Sequence, residues 1–373
     1  MKYRSWLEID SSNIIHNLKE AQGLVNNKVK LMVVVKSNAY GHGTIEMSKL
    51  VVSKGVDWLG VDSLEEASLI RESGIKTPIL VLGYILKENL KKAVENDISV
   101  VVYNKETLAE LSKLKKPAKI HIKVETGTMR QGVLLEDLEE FIRCAKKSLN
   151  IIVEGIYTHF ANIEDTTDHS FAKEQLRKFS QALQIAKDLK IKPLAHTACS
   201  AALILFPETH FDMVRFGISM YGYWSSPQTL VSSKENKKSI LLKPALSWKS
   251  VIAQIKNVKS DTPVGYGLME KTNQDTKIAI VPVGYWDGYD RKLSSVGNVL
   301  IGGKRCKIIG RICMNMLMVD INHLPDVKVE DEVVLIGHQG EENIAVEELA
   351  QKIGTINYEI ISRINPLIPR IYK

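Results

Sequence analysis

LMVVVKS, residues 31–37, is five apolar residues in a row, three of them valine, followed at once by a lysine. An unbroken β-branched run of this kind has no polar face to offer to water. It therefore predicts a strand covered on both sides, as in a parallel sheet. Seven similar runs follow: WLGVDS (58–63), PILVLG (78–83), ISVVVYN (98–104), KIHIKVET (119–126), IVEGIYTHF (152–160), LAHTACS (194–200) and MVRFGIS (213–219). They lie mostly about 20–40 residues apart, which leaves space for a crossover helix in each gap.

The gaps carry helix signals. GTIEMSKLVVSKG (43–55) has apolar Ile45, Leu50 and Val51 and ends on Gly55 as a C-cap. SLEEASLIRESG (63–74) opens with Ser63 as N-cap and Glu66 three residues on, the pattern of a capping box, and stops at Gly74. Eight strand–helix units predict a (β/α)8 barrel of the TIM type. A doubly wound sheet is the alternative, although it rarely needs eight equal units.

The pattern changes near residue 225. SSPQTLVSSKENKK (225–238) is polar, contains Pro227 and reads as a linker or exposed loop. After it come LSWKSVIAQIKNV, KIAIVPVGY, NVLIGGKRCKIIGRI, MLMVDI and DEVVLIGH, strand-like segments parted by Gly, Asp and Asn turns, with one late helix at AVEELAQKIG (345–354). The expected organisation is a barrel over residues 10–228 and a mainly β domain built from 1–9 and 229–373, the opening YRSWLEID contributing a strand to the latter.

Composition bounds the function. The 373 residues are 45% hydrophobic and 25% charged, ordinary for a globular protein. No apolar run approaches the roughly 18 residues of a membrane helix. The opening MKYRSWLEIDSSN has neither an apolar core nor a cleavage site, so a cytoplasmic location is expected. Cys144, Cys199, Cys306 and Cys313 are scattered without metal-ligand spacing and read as reduced thiols, with no metal expected. The net charge of +7 is a modest excess. Its lysine clusters (Lys113, Lys115 and Lys116; Lys234, Lys237 and Lys238) lack interleaved aromatics and read as solvated faces, not as a nucleic-acid surface.

In a barrel, chemistry sits at the C-terminal ends of the strands. Lys36 closes the first run, Arg130 follows the fifth, His159 ends the sixth, Ser200 ends the seventh, and Arg215 with Gly217 lies in the eighth. Five strands thus aim polar groups at one mouth. A lysine abutting an apolar strand either snorkels to water or is held where its charged form is disfavoured, which makes it a nucleophile or base. Taken alone, Lys36 favours the first reading.

VVVKSNAYGHG (33–43) closely resembles the cofactor-lysine motif of bacterial alanine racemases. The resemblance spans essentially the whole chain: WLEIDSSNIIHN (6–17), KVETGTMRQG (123–132), YTHFAN (157–162), HTACSAA (196–202), VRFGISMYG (214–222), PVGYG (263–267), VGYWDGY (283–289), GRICMN (310–315) and GTINYE (354–359). It implies a barrel followed by a β domain, a head-to-tail homodimer, and pyridoxal 5'-phosphate held covalently by Lys36. It implies alanine as substrate, and D-alanine for cell-wall peptidoglycan as the product's destination.

Racemisation removes an α-proton from one face and returns one to the other, so it needs an electron sink and two acid/base groups on opposite sides. By resemblance Lys36 is one of these and Tyr266, acting on the partner subunit's site, is the other. Arg215 matches the arginine at the cofactor's pyridine nitrogen, supported by His159. Arg130 matches the arginine near the phenolic oxygen and the substrate, and Lys123 a lysine, often carbamylated in the family, that orients it. Tyr40, Ser200, Gly217, Ile218 and Tyr358 are implied to hold the phosphate. Met314 and Tyr285 are implied to bound the substrate, and Tyr358 with Arg291 to line the entrance.

Three positions depart from the family pattern. Asn315 stands where Asp is common, Cys199 where Asn precedes the phosphate serine, and Gly127 lacks the usual Met directly after it. Asn315 bears on substrate preference more than on reaction type. Two other readings stay open: a racemase of this fold acting on serine or a broader range of amino acids, and a non-catalytic pyridoxal-phosphate carrier. The second domain and Tyr266 argue against the carrier.

Overall fold

The computed structural model describes residues 3–235 and 240–373; Lys237 and Lys238 of the second lysine cluster lie outside them. Two compact units are present. One comprises Asn13–Ala39 and Thr44–Pro244; the other comprises Met1–Ser12, Tyr40–Gly43 and Ala245–Lys373.

The first unit is an eight-stranded parallel barrel. Its strands, in chain order, are Lys30–Val34, Trp58–Val61, Ile79–Val81, Ser99–Val102, Ala118–Lys123, Ile151–Tyr157, Leu194–His196 and Met213–Phe216. Each coincides with one of the eight apolar runs, three of them starting one residue before it. Consecutive strands pair in parallel from the first to the seventh, and the eighth returns to the first with Leu31 opposite Val214. Between the seventh and eighth strands the ring is completed by backbone bonds from Asp212 N–H to Ala195 C=O at 3.0 Å and from Arg215 N–H to Ala198 C=O at 2.9 Å. Met32, Trp58, Leu80 and Met213, from four different strands, form a fully buried cluster. Burial of both faces explains why these strands carry valine and isoleucine runs instead of an alternating pattern.

Two local sequence readings are revised. The capping box at Ser63 is only half made. Ser63 Oγ accepts from Glu66 N–H at 3.3 Å, but the Glu66 carboxylate turns away from the cap to other amides. The polar stretch after residue 225 is not a loop in its described part. Pro227–Glu235 is a helix, opened by Pro at its first position and by Ser226 Oγ accepting from Thr229 N–H at 3.0 Å.

The second unit is mainly β. Its largest sheet runs Lys304–Lys307, Asn298–Ile301, Glu332–Gln339, Leu246–Val251, Ser5–Ile9 and Arg370–Tyr372, with Glu342–Ile344 also paired to Glu332–Gln339. The opening segment thus joins this unit, Leu7 lying opposite Trp248. A three-stranded sheet (Gln254–Val258, Thr276–Val281, Leu317–Asp320) and a two-stranded hairpin (Pro263–Val264, Glu270–Lys271) complete the strands. The late helix is Val346–Ile353, closed by left-handed Gly354, and a short helix Asn357–Ser362 follows it. Among the described residues no helix is long and apolar enough to cross a membrane.

Candidate active site

Lys36 begins a turn of unusual hand. The backbone of Ser37, Asn38, Ala39 and Tyr40 has φ of +55°, +54°, +51° and +52°, a full turn of left-handed helix without a glycine. This conformation costs roughly 1–2 kcal/mol per residue, so the surroundings must hold it. Ala39 N–H donates to Val35 C=O at 3.0 Å, and Asn38 Oδ1 accepts from Thr44 N–H at 3.2 Å. Glu66 Oε1 accepts from Ser37 N–H at 2.5 Å and from Asn38 N–H at 3.4 Å. The Lys36 side chain is 37% exposed and its Nζ lies 3.0 Å from Asp62 Oδ1. The sheltered, apolar setting weighed for this lysine is thus not what the chain alone provides; an anion faces it instead.

Arg215 is fixed more completely than any other side chain of the mouth. It is buried, and its terminal nitrogens donate to five acceptors: His196 Nδ1 at 2.7 Å, His196 C=O at 3.2 Å, Thr158 C=O at 2.9 Å, Thr197 C=O at 2.8 Å and His159 Nδ1 at 3.2 Å. Guanidinium cannot accept, so both histidines present a bare Nδ1 and are neutral, protonated on Nε2. Burial first, then the Arg215 charge, holds both well below the usual histidine range. His159 therefore supports Arg215 as expected, and His196, not singled out from sequence, does so from the other side. The Tyr157 ring stacks on His196 with centroids 4.6 Å apart, and Arg215 lies 5.2 Å from its centre.

The arginine loop is organised by Glu125. Its carboxylate accepts from Gly127 N–H and Thr128 N–H, each at 2.6 Å, and from Arg130 N–H at 3.3 Å. The Arg130 side chain is exposed. Lys123 is buried and its amine is lowered to about 8, by burial first and then by Arg130 and Arg215. It reaches Gln131 Oε1 at 3.4 Å and makes no hydrogen bond to Arg130, so unmodified it does not orient that side chain.

Ser200 opens the helix Ser200–Leu205 after the seventh strand, and Gly217 precedes the 3-10 turn Ile218–Tyr221 after the eighth. Ser200 Oγ accepts from Gly217 N–H at 3.0 Å and, more weakly, from Ser219 N–H at 3.5 Å. Two backbone donors that follow the eighth strand thus converge on one hydroxyl that follows the seventh, an arrangement suited to an anion. Ile218 is buried beside them, and Ser219 is an addition that the sequence did not single out.

The remaining candidates belong to the second unit. Tyr40 packs against Tyr358 with ring centroids 6.1 Å apart. Gly41 (φ +86°) is held so closely that a Cβ would lie 2.1 Å from the Ile361 carbonyl oxygen, so only glycine fits. Tyr266 sits at the tip of the Pro263–Lys271 hairpin and is 71% exposed. Its neighbour Gly265 has φ +73° and would carry a Cβ 2.7 Å from Met318 Cε. Tyr285 and Met314 are neighbours, since Tyr285 N–H donates to Cys313 C=O at 3.1 Å and Trp286 N–H to Met314 C=O at 2.9 Å. Both side chains are exposed, as is Arg291, and Asn315 is half-buried.

Asp62, Glu66 and Glu125 were not singled out as site residues from the sequence, although Glu66 fell in the capping-box pattern and Glu125 in the KVETGTMRQG motif. The only hint is an acid at or just after a strand end, and for Glu66 that hint was absorbed by the capping-box pattern.

Comparison with known proteins identifies the architecture. Residues 9–225 match the family described as alanine racemase, N-terminal domain, and residues 245–372 match alanine racemase, C-terminal domain. An alanine racemase of Leptospira interrogans is 43% identical over 99% of this chain and 96% of its own length. The solved alanine racemase of Bacillus anthracis with bound L-Ala-P is 34% identical, with a TM-score of 0.94 over 100% of this chain and 96% of that one. A histidine racemase of Leuconostoc mesenteroides subsp. sake is 27% identical, with a TM-score of 0.88 over 99% and 98%.

Proposed function

Because the chain belongs to the alanine racemase family, isomerases that depend on pyridoxal phosphate, we propose that it interconverts L- and D-alanine by two-base proton transfer between Lys36 and Tyr266. The observation that carries this reading is the fixation of Arg215. A permanently charged, donor-only group held by five acceptors in the barrel mouth keeps a heteroaromatic nitrogen placed against it unprotonated. That tempers an electron sink and disfavours side reactions such as transamination.

The residues present fit the cofactor. The amides converging at Ser200 suit a phosphate. The buried Tyr157 hydroxyl has no protein partner among the described residues, which leaves a polar position to be met by a bound group. Lys36 would attach the cofactor; Ser200, Gly217, Ile218, Tyr40 and Tyr358 would hold its phosphate; Arg130 and Arg215 would address its ring. When bound, pyridoxal phosphate supplies the sink for the electron pair left on the α-carbon. The Lys36 amine holds or releases a proton on one face of that carbon, and the Tyr266 hydroxyl does so on the other.

Tyr266 is presented to solvent. Its use as a base near neutrality calls for a neighbouring cation or hydrogen-bond donor that stabilises its deprotonated form. Leu268, Met269, Met314, Met316 and Trp286 are also exposed in this unit, an apolar surface that supports a homodimer in which Tyr266 enters the partner's site. Arg130, Met314 and Tyr285 would bound the substrate, with Tyr358 and Arg291 along its entrance. Lys123, with its lowered amine, is suited to carbamylation. The nitrogen adds to the carbon of CO2, a proton leaves to solvent, and the anion formed draws Arg130 inward. A cytoplasmic enzyme of this kind supplies D-alanine for peptidoglycan.

Activity on larger amino acids is a second reading, favoured by Asn315 and by the histidine racemase of the same fold. α-Proton exchange in heavy water, run with alanine, serine, lysine and histidine, tests both. Exchange with inversion, fastest on alanine, is expected. Exchange fastest on another amino acid would overturn the substrate, and no exchange on any would leave the carrier reading in place of the enzyme.

A further inference from the structure

We propose that Glu66 is a positioning residue for Lys36: its carboxylate clamps the left-handed turn that carries the lysine to the strand-end acid that faces it. The inference rests on the reading that Lys36 attaches the cofactor, but its geometry does not. A left-handed turn, like any helix, leaves its first N–H groups without internal acceptors. Here Glu66 Oε1 takes two of them, from Ser37 at 2.5 Å and Asn38 at 3.4 Å, while Oε2 takes Asp62 N–H at 2.9 Å.

Asp62 in turn pairs with the Lys36 amine at 3.0 Å. One carboxylate therefore fixes both the residue after the lysine and the backbone of the lysine's anionic neighbour, across the ends of the first two barrel strands. Glu66 stands third in the helix Leu64–Glu72, where an acid ordinarily reaches back to the amide of its own cap. It forgoes that bond, and the conformation it supports is one that four non-glycine residues do not adopt unaided. The neighbouring Glu65, on the same first turn, is exposed and bonds its own N-cap Ser63, not the amides of Ser37, Asn38 or Asp62, so it is the matched control.

Hydrogen exchange of the peptide spanning residues 36–43, measured by mass spectrometry on cofactor-free protein, reads the clamp without any catalysis. Glu66→Ala should raise exchange there about tenfold or more, the loss expected for charge-assisted hydrogen bonds. Glu66→Gln, which keeps one acceptor but turns an amide group toward a second N–H, should fall between, and Glu65→Gln should match wild type. In cofactor-saturated enzyme Glu66→Ala should lower kcat about tenfold with KM for alanine within about threefold, and Glu66→Gln should recover part of it. Unchanged exchange in Glu66→Ala, or faster exchange with unchanged kcat, overturns the proposal. If the alanine variant does not fold, Glu66→Gln against Glu65→Gln decides by the same two readouts. Lys36→Ala separates the premise: covalent cofactor retained in that variant rejects the role of Lys36, whatever the exchange data show for Glu66.

Discussion

The mouth of the barrel and the hairpin that carries Tyr266 support their proposed acid/base groups in opposite ways. In the barrel the charged anchors Arg215, Glu125 and Glu66 are met within the chain. Arg215 has five acceptors, Glu125 holds the loop amides of Gly127, Thr128 and Arg130, and Glu66 bridges the Lys36 turn to Asp62. At the hairpin a tight turn with Gly265 and Gly267 at positive φ presents a tyrosine outward, amid exposed Leu268 and Met269. One half is preorganised by its own fold; the other has shape but no enclosure. The difference teaches that the two halves should fail differently when altered, the first within a chain and the second between chains.

The largest effect is expected at Lys36. Lys36→Ala removes the only amine placed at the end of the first strand and should lower D-alanine formation from L-alanine by about 10⁴-fold or more. Borohydride treatment should then fix no cofactor to the protein. Tyr266→Phe comes next, with a loss of about 10²–10⁴-fold, the range for one general acid/base group. Cofactor attachment should survive, and α-proton exchange should be retained for one enantiomer and suppressed for the other. The two variants also test the contrast directly. If Tyr266 serves a neighbouring copy, mixed and re-equilibrated Lys36→Ala and Tyr266→Phe chains should regain activity through hybrid sites. Mixtures as inactive as their parts would confine both groups to a single chain.

Arg215→Lys probes the self-contained half alone. An ammonium keeps the charge but has three donors and no fork, so it leaves at least two buried acceptors unmet. A stability loss of about 2–3 kcal/mol is expected, read as a shift in the urea midpoint at constant slope. A shift under about 0.5 kcal/mol would mean that water replaces the lost donors, and that the network is not what holds the strand ends.

What was legible in the sequence follows the same division. Runs such as LMVVV and ISVVV record burial on both faces, and burial is what hydrophobic pattern encodes, so the eight barrel strands could be placed. The lysine, arginine and serine at their ends followed from barrel geometry, and their chemical roles only from resemblance. Pattern does not record which distant amide a carboxylate will find. Glu66 looked like half of a capping box because spacing within a helix is local, whereas Ser37 lies 29 residues away. The left-handed turn was equally hidden. Ser, Asn, Ala and Tyr have no shared preference for positive φ, and the conformation exists because neighbours impose it. The Pro227–Glu235 helix was obscured by polar composition that suits a solvated helix as well as a loop.

The smallest effect concerns Lys123, in the barrel. Its amine is lowered from 10.5 to about 8, by burial and by the nearby charges of Arg130 and Arg215. The folded pKa lies below the unfolded one, so between about 8 and 10.5 the unfolded chain binds more protons. Stability should therefore rise as pH increases through that window, and the protonated lysine should cost stability at neutral pH. With allowance for solvent screening the contribution is about 1 kcal/mol, and Lys123→Gln should remove it, flattening the profile above pH ~8. Bicarbonate should act in the same direction on wild type alone. A carbamate replaces a cation between two arginines by an anion, converting repulsion into attraction, and a carbamate carbon should appear by 13C NMR with labelled bicarbonate. A Lys123→Gln protein with the wild-type pH profile and the same response to bicarbonate would show that Lys123 is a buried lysine and nothing more. Arg130 would then have to be oriented by Glu125 through the loop backbone alone.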